Sequence, residues 1–302
     1  MTDRSSQRAG RCVFLVVGVF ALVMAGCGSS SSASSSSVPA VKYYVSLGDS
    51  YAVGYQPLPV PHASPGYTAY VATAEHLQLK NFGCAGATSV SILTAKGCAG
   101  RVAATDAVAY PTTPQAGAAE AFIRAHKGSI ALITVSIGGN DVTRCATVAS
   151  PITCLYSAVS TASANITRLA DDLRSAAGPA VPIIGLTYPD VLLGLWVHPA
   201  ANPNKGLASL SVTGFRDALN PALKSAYTGA GAKFIDITAA TGAYTPLTET
   251  TTLSPFGVIP DAVAQVCTLT WYCAVGSIHA NTKGYTFIGR QIVAEYAMVA
   301  HS

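Results

Sequence analysis

KYYVSLGDSYAVGY, residues 42–55, decides how the chain is read. An apolar, β-branched and aromatic run ends at Leu47 and turns at once through Gly48-Asp49-Ser50. A short buried strand followed by a glycine and two small polar residues sets a hydroxyl on a sharp turn at the strand's carboxyl end. Open α/β sheets keep their chemistry along that edge, because loops converge there. Taken alone, Ser50 reads as readily as a turn residue or helix cap. What lies around it has to decide.

Outward from this stretch, apolar runs alternate with helical patterns. Residues 79–82, 130–137, 181–186 and 233–237 read as strands, and IALITVSI (130–137) is continuous enough to be buried on both faces of a parallel sheet. Residues 67–77, 115–126, 155–176, 211–228 and 282–299 carry apolar residues at helical spacing, with a short helical piece at 259–266. Residues 90–114 give no clear assignment, and 239–257 reads as a loop. The alternation predicts a three-layer α/β/α sandwich around a central, mostly parallel sheet.

Half of the 302 residues are hydrophobic and only 11% are charged, so the polar surface must come largely from Ser, Thr and Asn. The formal charge of +4 is spread thinly, with no Lys/Arg cluster after Arg11, which excludes a nucleic-acid-binding role. Arg4, Arg8 and Arg11 precede an apolar run over 13–25, too short for the ~20 residues of a spanning helix. Residues 1–26 therefore read as an export signal. Met24-Ala25-Gly26-Cys27 resembles the lipobox of bacterial lipoproteins, which implies lipid attachment at Cys27; ordinary cleavage near Ala25 is the alternative. The serine-rich stretch that follows gives residues 27–40 the character of a flexible linker, leaving 41–302 as a single domain. Such a protein is expected at the outer face of the cell membrane, held by its lipid, and monomeric.

Six further cysteines fall into local pairs, Cys84/Cys98, Cys145/Cys154 and Cys267/Cys273. Six thiols permit 15 pairings, but close neighbours on an exported chain favour the sequential one. Loops this short contribute ~2–3 kcal/mol each when closed. Each pair flanks a candidate site segment. No Cys-x-x-Cys spacing occurs, and neither a metal nor an organic cofactor is expected.

A serine needs a base, and His279 in Gly276-Ser277-Ile278-His279-Ala280-Asn281 lies just before a helix that would anchor it. His198, after the fourth strand, is the rival. Acyl transfer also needs donors at the developing oxyanion. Asn140 follows a buried strand through two glycines, and Gly86 in Ala85-Gly86-Ala87 offers an unobstructed backbone N–H.

These segments together resemble the SGNH hydrolase superfamily, the GDSL-type esterases and lipases. Gly48-Asp49-Ser50 matches its first block, Asn81 to Thr88 its second, and Gly138-Gly139-Asn140-Asp141 its third; His279 matches the last. The resemblance spans about 42–299 and implies Ser50 as nucleophile and His279 as base. It further implies Ser50 N–H, Gly86 N–H and the Asn140 side chain as oxyanion donors, on a flavodoxin-like sandwich. One position departs: Gly276 stands where the family places an aspartate, and no acid occurs from 262 to 281. The expectation is a Ser–His dyad whose imidazole is oriented by the Gly276 backbone carbonyl, as in similar secreted actinobacterial members with three disulfides. Asp261 is the alternative acid. The implied reaction is hydrolysis of carboxylic esters, of lipids or of short alcohols. A carbohydrate O-acetyl esterase and a catalytically inactive envelope-binding module are the rivals. The aromatic loop around Trp196 is expected to wall the substrate pocket.

Overall fold

In the computed structural model, residues 40–60, 65–98, 101–104 and 106–300 are described. The export signal, Cys27 and the serine-rich linker lie outside the described residues, apart from Ala40. The stretch that opened the reading forms β1 (Tyr43–Gly48) and, after one residue, the single turn α1 (Ser50–Val53). Helix α2 (Tyr67–Ala74) leads to β2 (Gln78–Asn81), which pairs with β1 in parallel. A short α3 (Ser91–Thr94) lies in the stretch without a clear assignment. Helix α4 (Gln115–Ala125) then returns the chain to β3 (Ile130–Ser136) on the other side of β1.

After β3 come α5 (Gly139–Thr143), a 3-10 turn and the long α6 (Pro151–Ala177). The helix starts earlier than its apolar spacing predicts because Pro151 occupies the first turn, where its missing N–H costs nothing. Strands β4 (Ile183–Leu186) and β5 (Lys233–Ile235) complete a parallel sheet of order β2-β1-β3-β4-β5.

Between them, the 3-10 turn Val191–Trp196 precedes α7 (Lys205–Gly214) and α8 (Asn220–Gly229). One helix was predicted over 211–228. The chain instead widens into a π-helical turn at Phe215–Leu219, immediately before Pro221, which has no N–H to continue the α ladder. Helix α9 (Ile237–Ala240) follows β5. A hairpin of β6 (Thr250–Leu253) and β7 (Gly257–Pro260) then forms where a loop was expected. Helices α10 (Asp261–Leu269), α11 (Tyr272–Val275) and α12 (Thr282–Ala300) end the chain.

Alternation along the strands divides the core into two layers. Tyr44, Leu132 and Ile184 are fully buried and face α2 and α12, against Val71, Ile288 and Ile292. Val45, Ile133 and Ile183 point the other way, against Ile123 of α4, Ile166 and Leu169 of α6, and Leu223 of α8. A sheet covered on both faces explains why its strands read as unbroken apolar runs. Truncating such a side chain leaves a void costing ~2–5 kcal/mol. In this strand order the chain reverses direction of winding between β1 and β3, and ligands of doubly wound sheets bind outside that point. Ser50 follows β1 and Asn140 follows β3.

Candidate active site

Gly48 sets the geometry of the first loop. Its φ is +142°, and a Cβ there would sit 2.3 Å from the Ser136 carbonyl oxygen, so only glycine allows β1 and β3 to stay paired at the turn. Gln115 donates from Nε2 to the Gly48 carbonyl at 3.1 Å and accepts from the Gly48 N–H at 2.7 Å. Asp49 caps α1 by accepting from Tyr51 N–H at 3.0 Å. Ser50 is thereby held at the helix start, 6% exposed. Among the described residues, neither its backbone N–H nor that of Gly86 meets a protein acceptor.

The second loop is tied to the first by Asn81, which donates to the Ala52 carbonyl at 2.7 Å and accepts from Gly83 N–H at 2.9 Å. Gly86 takes φ +75° with open space around it. The third loop closes on both. Asn140 Nδ2 donates to the Ala87 carbonyl at 2.9 Å, with Asp49 Oδ2 further off at 3.3 Å. Asp141 accepts from Ser89 N–H at 2.9 Å and from its hydroxyl at 2.6 Å, fastening the Gly86 loop to α5. Gly139 is required by close approach, since a Cβ would lie 2.9 Å from the Tyr188 ring. Tyr188 in turn donates its hydroxyl to Asp49 Oδ2 at 2.6 Å. Burial pushes Asp49 up to about 7, against the pull of these donors.

The fourth loop carries His279. Tyr51, the neighbour of Ser50, donates its hydroxyl to the Ile278 carbonyl at 2.8 Å across 227 residues of sequence. The imidazole lies against the Tyr55 ring, centroids 4.3 Å apart, with Tyr51 at 6.2 Å. Trp271 N–H donates to the His279 carbonyl and Asn281 N–H to that of Leu269, so the loop is stitched to the end of α10. Burial lowers His279 to about 4. Ser50, Asn140 and Ile278 line one small pocket, about 30 Å³, together with Tyr188, Val191 and Phe215.

The partner of His279 Nδ1 is the Ser277 hydroxyl, 3.0 Å away. It stands in the place expected for the Gly276 carbonyl or for Asp261. Gly276 closes α11 in the left-handed region, with His198 packed on it: a Cβ there would lie 2.8 Å from His198 Nε2. Asp261 opens α10 and borders a separate polar cavity with Glu249 and Gln265. Trp196 likewise packs in a third apolar cluster around Leu193 and Val263, while Tyr188, Pro189 and Val191 of its loop wall the Ser50 pocket. From sequence alone, Ser277, Tyr51 and Tyr188 have no assigned role in the site. Only Ser277, two residues before the histidine, carried a local hint of its position. The structure pairs Cys84 with Cys98, Cys145 with Cys154, and Cys267 with Cys273.

A parallel sheet with small and polar loop residues gathered outside its reversal point gives an α/β fold with a candidate site at that edge. The chain belongs to the GDSL-like Lipase/Acylhydrolase family, whose model matches residues 46–287, and is a carboxylic-ester hydrolase. Among solved structures it is similar to phospholipase A1 from Streptomyces albidoflavus NA297, at 20% identity and TM-score 0.49, covering 85% of this chain and 99% of that one. It is also similar to an extracellular lipase from Streptomyces rimosus, at 18% identity and TM-score 0.48, covering 85% and 100%. A carbohydrate esterase of family 2 from Corynascus is similar at 16% identity and TM-score 0.46, covering 88% of this chain and 69% of that one. No curated protein matches the chain.

Proposed function

We propose that Ser50 and His279 hydrolyse acyl esters through a covalent acyl-enzyme, with Ser277 orienting the imidazole. The observation that carries this reading is the Tyr51–Ile278 hydrogen bond, which fastens the histidine's loop to the residue after the serine. With Nδ1–H donating to Ser277 Oγ, Nε2 keeps its lone pair for the Ser50 proton. Ser50 Oγ attacks the ester carbonyl as its proton passes to His279. The oxyanion forms against Ser50 N–H, Gly86 N–H and the Asn140 amide, whose longer contact to Asp49 at 3.3 Å is the one free to be exchanged. His279 protonates the departing alcohol, and water then clears the acyl group by the reverse proton route.

A hydroxyl beside Nδ1 orients the ring and can accept its N–H, but unlike an aspartate it can also donate, so it does not by itself fix the tautomer, and it brings no negative charge. Burial therefore acts on the imidazole without compensation, consistent with its lowered pKa. A weaker base results, and one that stays neutral well into acid.

The substrate is read as an acyl ester of a lipid or a short aliphatic alcohol, because Val142, Val191 and Phe215 give the pocket beside Ser50 apolar walls. Attachment through Cys27 at the outer membrane face would set the enzyme beside such substrates. Turnover of a chromogenic short-chain ester tests the reading. Ser50→Ala and His279→Gln should each remove at least ~10³-fold of kcat, and full turnover in either variant contradicts it.

A further inference from the structure

A second cavity, about 180 Å³, runs between the start of α6, the turn at Val191–Trp196, and α7 with its π-helical extension. We infer that this groove receives the aliphatic tail of the acyl group, which makes medium-chain and longer fatty esters the preferred substrates. The inference rests on the Ser50–His279 reading and extends it.

Continuity carries the argument. Val142, Thr143, Val191 and Phe215 wall both this groove and the small pocket at Ser50, so a chain leaving the reacting carbonyl meets the groove next. The remaining lining is built for hydrocarbon, with Leu155 and Leu207 along it. Two of its polar members are already engaged. Ser211 donates to Asp190 Oδ2 at 2.8 Å, and the Asp217 carboxylate takes two hydrogen bonds from Arg216 at 2.7 and 2.9 Å. A cavity of about 150 Å³ with such walls holds a benzene, so this one has room for about six carbons or more.

The mouth of the groove adds a second observation. Ile152, Tyr156 and Leu210 line it and are 54%, 64% and 43% exposed, a cluster of large apolar side chains left facing water. Isolated exposed apolar residues are ordinary, whereas a cluster around a groove marks a surface that is covered in use. Because the groove leads to the serine, the cover is the substrate's own tail.

Gly214 gives the test. A Cβ there would sit 3.2 Å from Leu155 Cδ2, so a larger side chain fills the groove at that point. Hydrolysis of p-nitrophenyl acetate and octanoate is compared below micelle-forming concentrations for wild type, Gly214→Leu and Leu210→Asp. The readout is the ratio of kcat/KM for octanoate over acetate, from which the amount of folded enzyme cancels. In wild type the ratio should exceed about 100, from roughly fourfold per buried methylene before the gain levels off. Gly214→Leu should lower it at least tenfold and Leu210→Asp, at the exposed rim, at least threefold. A ratio unchanged in both variants overturns the groove, whatever other property they alter. Ser50→Ala separates the two levels of the argument. If it is inactive while the ratio holds in both variants, only the groove falls. If it still turns over both esters, the reading of the site fails and the groove falls with it.

Discussion

Ser277 is where the site departs most from a serine–histidine–acid arrangement. A neutral hydrogen bond contributes ~1 kcal/mol, whereas losing a triad acid costs ~10⁴-fold in rate. Ser277→Ala should accordingly lower kcat by only about fivefold with KM little changed, and Asp261→Ala should keep most activity. A 10⁴-fold loss in the Asp261 variant would restore a carboxylate to the mechanism. The pH profile gives a sharper discrimination. With His279 lowered to about 4, the acid limb of kcat/KM should fall near pH 4 rather than at the ordinary 6.5. Ser277→Asp sets a charge beside Nδ1 and should move that limb upward by at least a unit; an unmoved limb would show that position 277 does not face the titrating ring. The placement of Ser50, Asn140 and His279 beside strand or helix ends was legible because each sits in a short spaced motif. The Ser277 contact was not, because which group meets Nδ1 depends on how the loop leaves α11 at Gly276, a tertiary matter.

At the scale of elements, the strands declared themselves because both faces of the sheet are buried, and long helices because one apolar stripe faces the core. The hairpin at Thr250–Leu253 and Gly257–Pro260 did not, since it is largely exposed and has no apolar alternation to betray it. The break between α7 and α8 was also hidden, because the apolar spacing runs through the π-helical turn. The turn at Val191–Trp196 is joined to α7 by a fully buried Asp190, which accepts from Leu192 N–H at 3.2 Å and from Ser211 at 2.8 Å. Burial raises this carboxyl from its ordinary 3.8 to about 7. A folded pKa above the unfolded one means stability that is full below 3.8 and lost as pH rises through 7. The melting temperature of Asp190→Asn minus that of wild type should therefore climb from pH 4 to pH 7; a flat difference would mean that the carboxyl titrates normally. His279 works in the opposite sense, its contribution being full above 6.5 and lost as pH falls through about 4.

For the whole molecule, the strand order places the loops after β1 and β3 side by side, and the hydrogen bond from Tyr51 to Ile278 draws in a segment more than two hundred residues away. Such convergence follows from topology and could be anticipated only through the order of the motifs. No helix among the described residues is long and apolar enough to cross a membrane. If Cys27 carries a lipid, as proposed, wild-type protein in exporting cells should incorporate labelled palmitate and Cys27→Ser should not; equal labelling of the two would rule out a lipid at that position. The central claim is that the hydroxyl at position 50 becomes acylated with the help of the ring at 279. Mass spectrometry after treatment with an organophosphonate ester tests it most directly. A single adduct on the peptide containing Ser50, absent from Ser50→Ala and strongly slowed in His279→Gln, is the predicted result. Equal labelling of the Ser50→Ala protein, or an adduct on any other residue, would contradict it.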